Sequence, residues 1–96
     1  MSVSSAEVQT FTCGFSGLID SGQSIVRSLA DLAVQQSNPD LGRVIEQVNQ
    51  NVQAGSTLSE AFGNYPSVFD ASYIGKVRQG EVGGTLQSAL QILCRS

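Results

Sequence analysis

The sequence predicts an all-α protein, an antiparallel bundle of six helices in a single domain. Three observations predict it. Apolar residues recur at the 3.6-residue spacing of one helix face in six successive stretches. Residues that start or stop helices fall in the gaps between those stretches. No stretch alternates apolar and polar residues with β-branched enrichment, so no strand is expected.

Val8, Phe11, Phe15, Leu18 and Ile19 mark the first helix, and Ser21-Gly22 closes it. Ser24 is placed to cap the second, carried by Ile25, Leu29, Leu32 and Ala33. Asn38-Pro39 ends the second and opens the third. Asn38 can accept from orphan amides there, and Pro39 sits at the first helical position, where no N–H is needed. The third helix carries Leu41, Val44, Ile45, Val48 and Val52, with Gly55 behind it to take the left-handed conformation. Thr57 and Glu60 form a capping box over the short fourth stripe of Leu58, Ala61 and Phe62. Tyr65-Pro66 ends that helix, because the residue before proline is pushed out of the α region. Asp70 can cap the fifth helix, marked by Phe69, Tyr73 and Val77. Gly83-Gly84 breaks the chain, and Thr85 can cap the sixth, with Leu86, Ala89, Leu90 and Leu93. Connections this short make neighbouring helices fold back on one another. The domain is read as residues 1–96, with 1–5 a frayed or vector-derived start.

Composition excludes several functions. The 96 residues are 41% hydrophobic, too apolar for a disordered tail. Five basic against eight acidic residues give a net charge of −3. Arg27, Arg43, Lys76, Arg78 and Arg95 are scattered rather than gathered into a stripe, so nucleic acid is not expected as a partner. Electrostatic docking onto anionic lipid is disfavoured for the same reason. There is no histidine, which removes Ser–His–Asp and Cys–His catalysis and His-ligated metal sites. No run reaches the roughly 18 apolar residues of a membrane helix and no signal peptide opens the chain, so a soluble chain is expected. Cys13 and Cys94 lie at opposite ends without metal-ligand spacing. Both are read as reduced thiols in a cytosolic compartment, with a terminal staple between them left open.

Several segments together resemble the type II secretion system F domain, which also occurs in the platform protein of type IV pili. They are Phe11-Thr12, the run Leu18 to Gly22, Ala30 to Ala33, and Asn38-Pro39. Gly55 to Ser59 with Ala61, and Tyr65-Pro66 to Phe69, follow in register. The closing Gly80-Glu81-Val82-Gly83-Gly84-Thr85-Leu86, with Leu90 after it, is similar to the family's most recognisable motif. The resemblance runs from Phe11 to Leu93. It implies a six-helix cytoplasmic domain of a polytopic inner-membrane protein, on the cytoplasmic face, with the membrane reached only through segments absent from this chain. It implies a scaffold that couples the machine to the secretion or pilus assembly ATPase, beside other platform components and pilin-like subunits. Of the family's two copies, the Phe69-Asp70 to Tyr73 wording is more similar to the first. The chain departs from the pattern at Cys13-Gly14, where a glycine inside a helix costs about 1 kcal/mol and should weaken it. A freestanding all-α adaptor or dimerisation domain is the alternative. A homodimer is expected in either case, because a thin bundle leaves apolar side chains to cover.

Among candidate residues, Glu81 stands out, since a negative charge near the end of a helix opposes the helix dipole. Gly80, Gly83 and Gly84 around it let the backbone approach closely. Glu81 could be a recognition carboxylate or, with Asp70, an oxygen ligand for a divalent ion such as calcium at an interface; no other cofactor is expected. The structural reading, in which Glu81 takes the free amides of the following turn and sets the angle to the sixth helix, is favoured. No twelve-residue calcium loop is present. Phe62 and Phe69 are expected in the core, while Tyr65 and Tyr73 are open between core and interface. Cys13 lacks an activator. Ser72 and Lys76 share a helical face, but without a strained turn or oxyanion cradle no catalysis, and hence no enzyme, is expected. Gly80 to Gly84 lacks the ending of a phosphate loop. The uncharged polar run Gln47, Asn49, Gln50, Asn51 and Gln53 suits a partner surface or an ordinary exposed face.

Overall fold

A computed structural model describes residues 3–96, which form six α-helices and no strand. They are α1 (Ser5–Asp20), α2 (Ile25–Gln35), α3 (Pro39–Gln53), α4 (Leu58–Gly63), α5 (Ala71–Gly83) and α6 (Leu86–Arg95). Each helix packs on its neighbour in sequence, and α6 packs back on α1, so the six close into a ring. Among the described residues no helix is long and apolar enough to cross a membrane.

Most helix starts are built as the sequence dictates. Ser24, Asn38, Thr57 and Asp70 each accept from an amide of the first turn that has no helical partner. Thr57 and Glu60 complete their reciprocal box. The same box opens α1, where Ser4 accepts from the Glu7 amide and Glu7 accepts from the Ser4 amide. Ser4 is the cap of α1 and Ser5 its first residue, both within the 1–5 start; Met1 and Ser2 lie outside the described residues. The backbone amides they accept hold the Glu7 and Glu60 carboxyls below their ordinary value of 4.5.

Two expectations about helix ends need correction. Thr85 occupies the first position of α6 but its side chain makes no capping bond. Its amide is drawn back to the Gly80 carbonyl at 2.8 Å to close α5, which leaves its backbone at φ −123, ψ 45 rather than extended. Helix α4 stops at Gly63, two residues before Tyr65-Pro66, and the Tyr65 carbonyl instead accepts from Val68 and Phe69 in the turn that follows. Helix α1 runs through Gly14, where it packs on Leu32 of α2; a Cβ on Gly14 would lie 3.0 Å from the Leu32 Cδ2.

The core runs through the ring. Phe11, Phe15, Phe62 and Phe69 are almost wholly buried, with Tyr73 beside them, and Phe62 and Phe69 ring centres lie 4.4 Å apart. Leu29, Leu41, Val44, Ile45, Val48, Val77 and Leu90 fill the remainder. Asn49 is not on the surface, as its place in a polar run suggested. It is buried, and its amide donates to the Val26 carbonyl at 3.1 Å, docking α3 on the start of α2.

The two cysteines are not free thiols. Cys13, midway along α1, and Cys94, near the end of α6, form a disulfide across a Cα–Cα distance of 4.7 Å. Closure of α6 on α1 brings together residues 81 apart in sequence, which spacing alone could not reveal.

Candidate functional site

The glycine-flanked carboxylate lies where α5 passes the start of α4. Ser59 is the second residue of α4, and its amide is one that Thr57 does not reach. Glu81 fills that gap: one carboxylate oxygen accepts from the Ser59 amide at 3.0 Å and the other from the Ser59 hydroxyl at 2.5 Å. Glu81 therefore ties α5 to α4, not to the following turn and α6 as the sequence reading expected. Glu81 does not serve the turn after α5, because those amides are already taken by backbone. Gly84 adopts φ +70, its amide returns to the Gly80 carbonyl, and so does that of Thr85.

Gly80 is buried and is where α5 and α6 cross most closely. A Cβ there would lie 2.8 Å from the Ala89 Cβ and 3.0 Å from the Leu86 Cα. A Cβ on Gly83 would meet only the Thr85 hydroxyl, at 3.6 Å. The motif therefore divides into a close-approach glycine, a bridging carboxylate and a left-handed stop.

Between Glu81 and the box of Thr57 and Glu60 lies a shallow depression of about 460 Å³, edged by Arg78 and Val82. Among the described residues Val82, 85% exposed, is the most exposed large hydrophobic one, and it stands beside a carboxylate held by Ser59. A rigid rim with one apolar side chain standing out of it suits contact with another protein surface.

Asp70 is not part of this arrangement. Its carboxylate accepts from the Tyr73 amide at 2.8 Å at the opposite end of α5. Among the described residues no group of three or more metal-ligating side chains is assembled, so a divalent ion at Glu81 would take its other oxygens from a second molecule. Tyr73 is buried and its hydroxyl pairs with that of Thr12 at 2.7 Å, which makes it a core residue rather than an interface one. Burial pushes its phenol well above the ordinary value of 10, and the Thr12 bond pulls the other way. Tyr65 is half-buried against the core. Ser72 and Lys76 line one groove with Asp70 and Thr12, but no hydrogen bond joins the two side chains. Sequence reasoning missed Ser59, because nothing in its immediate neighbours distinguishes a serine that meets a carboxylate 22 residues away.

Comparison with known proteins places these features in a wider set. The family model described as type II secretion system (T2SS), protein F matches residues 11–96. The chain is 36% identical over 91 residues to the type IV pilus assembly protein PilC of Myxococcus xanthus. It is 32% identical over 91 residues to the type II secretion system protein F of Vibrio cholerae, and 35% identical over 88 residues to that of Xanthomonas campestris pv. campestris. These alignments cover 95%, 95% and 92% of this chain and 22% of each relative.

Proposed function

Because the chain belongs to the type II secretion system protein F family, a family of secretion and pilus machinery, we propose that it is a non-enzymatic interaction module of such a machine. It scaffolds the assembly from the cytoplasmic face of the inner membrane, and it passes movement of the assembly ATPase to its neighbours through rigid helix–helix contacts. The observation that carries this reading is the Glu81–Ser59 bridge, which locks α4 to α5 beneath the exposed Val82. A module that transmits force needs a stiff contact surface, and a carboxylate bonded to a backbone amide and a buried hydroxyl supplies stiffness where the short helix α4 has little of its own.

The ring of six helices is thin, and Val34, Val82 and Ile92 remain more than half exposed. We therefore take the working form to be a homodimer, as a second copy is the simplest cover for apolar side chains. Both parts are tested on one sample. Titrated against the purified hexameric assembly ATPase of the same genome, the chain should bind saturably, and light scattering should give about twice its 10.1 kDa mass. No binding at micromolar concentrations, together with a monomer mass throughout, would overturn the reading.

A further inference from the structure

The ring closes at one seam. Five of its six helix pairs are neighbours in sequence and are held by short connections, whereas α1 and α6 meet without one. That seam carries both cysteines of the chain. Cys13 and Cys94 are each half-buried, so neither is sealed inside the core. Gln9, one turn before Cys13, donates from its side chain to the Cys94 carbonyl at 2.9 Å. Leu90 and Leu93 anchor the same turns of α6 in the core, and Gln87 donates to Asp20 further along the seam. These contacts do not depend on the sulfur–sulfur bond. They keep α6 seated on α1, so the two thiols meet again whenever the last turn of α6 re-forms.

We propose that Cys13 and Cys94 form a reversible thiol–disulfide latch on the α1/α6 seam, exchanging with a low-molecular-weight thiol–disulfide couple of the glutathione class. Opening takes two steps. An external thiolate attacks one cysteine sulfur, the Sγ–Sγ bond breaks, and the other sulfur leaves as a thiolate that takes up a proton. A second external thiol then attacks the mixed disulfide, frees the remaining cysteine and departs as the oxidised small molecule. Two electrons pass from the external thiols to the cysteines, and closing is the reverse. With only two cysteines there is one intramolecular pairing, so the latch has two states and no scrambled alternatives.

The two states differ at the end of α6. Closed, the bridge ties residues 81 apart and removes a large loop's worth of freedom from the unfolded chain. Open, the last turn is held by the Gln9 bond and the edge of Leu93, while Ile92, Arg95 and Ser96 face solvent and the turn frays. In a compartment kept reducing, the resting state is the dithiol, and an oxidising shift tightens the ring.

The test uses the 96-residue chain equilibrated in glutathione buffers of increasing disulfide content, quenched in acid, alkylated and weighed intact. The expected result is paired loss of two labels with no intermolecular dimer. The oxidised form should melt roughly 10–20 °C above the reduced form. Amides of residues 86–95 should exchange faster with deuterium in the reduced chain, while those of α3 change little. The Cys13→Ser/Cys94→Ser variant should melt like the reduced wild type and ignore the buffer. Two labels retained in excess glutathione disulfide would overturn the proposal. So would a bridged form whose melting temperature and α6 exchange match the reduced form, a result that needs no variant to fold.

Discussion

Glu81 stabilises two elements at once, because its two oxygens take the amide and the hydroxyl of a single residue, Ser59, that is only 2% exposed. Replacing Glu81 by alanine leaves the Ser59 amide without its partner and the hydroxyl with only the Thr57 hydroxyl, 3.2 Å away. The expected loss is roughly 2–3 kcal/mol in urea-induced unfolding, whereas Ser59→Ala, which keeps the amide bond, should lose about 1 kcal/mol. A Glu81→Ala chain as stable as wild type would show that the bridge does not hold α4. The importance of Glu81 was legible in the sequence, since a carboxylate between glycines near a helix end has an electrostatic reason to be there. Its partner was not, because a bond spanning 22 residues depends on how α4 and α5 are packed. Tyr73 teaches the same lesson. Its spacing allowed core or interface, and only its bond to Thr12, 61 residues away, decides for core.

At the scale of the helices, local chemistry carried most of the information. Ser24, Asn38, Thr57 and Asp70 cap as their positions suggest, since capping is an interaction between residues two or three apart. Thr85 fails because a longer demand, the return of its amide to Gly80, competes for its backbone. The glycines around Glu81 look alike in sequence but differ in what surrounds them, and substitution separates them. Gly80→Ala drives a methyl into Ala89 and the backbone of Leu86, and should destabilise by about 1–3 kcal/mol. Gly83→Ala meets no such contact and, inside a helix, should be neutral or stabilise by up to about 1 kcal/mol. Thermal melting of the two variants side by side checks this, and equal melting temperatures would contradict the crossing described for α5 and α6.

For the molecule as a whole, an all-α bundle was legible from periodicity alone, because every helix buries one stripe. The closure of the ring was not. It rests on α6 finding α1 across the whole chain, and the same closure turns two distant cysteines, expected as free thiols, into a bridged pair. On the proposed reading the module works by contact and catalyses no reaction of a substrate. The most direct test is assembly in cells, read as pili by electron microscopy or as secreted protein, with variants placed in the full-length protein. Val82→Asp puts a charge on the most exposed apolar side chain of the Glu81 rim, where it makes no core contact. The account predicts that Val82→Asp abolishes assembly while the purified chain keeps its far-UV spectrum and melting temperature, and that Ser72→Ala and Lys76→Ala assemble normally. Wild-type assembly with Val82→Asp, or loss of assembly with a well-folded Ser72→Ala or Lys76→Ala, would contradict it.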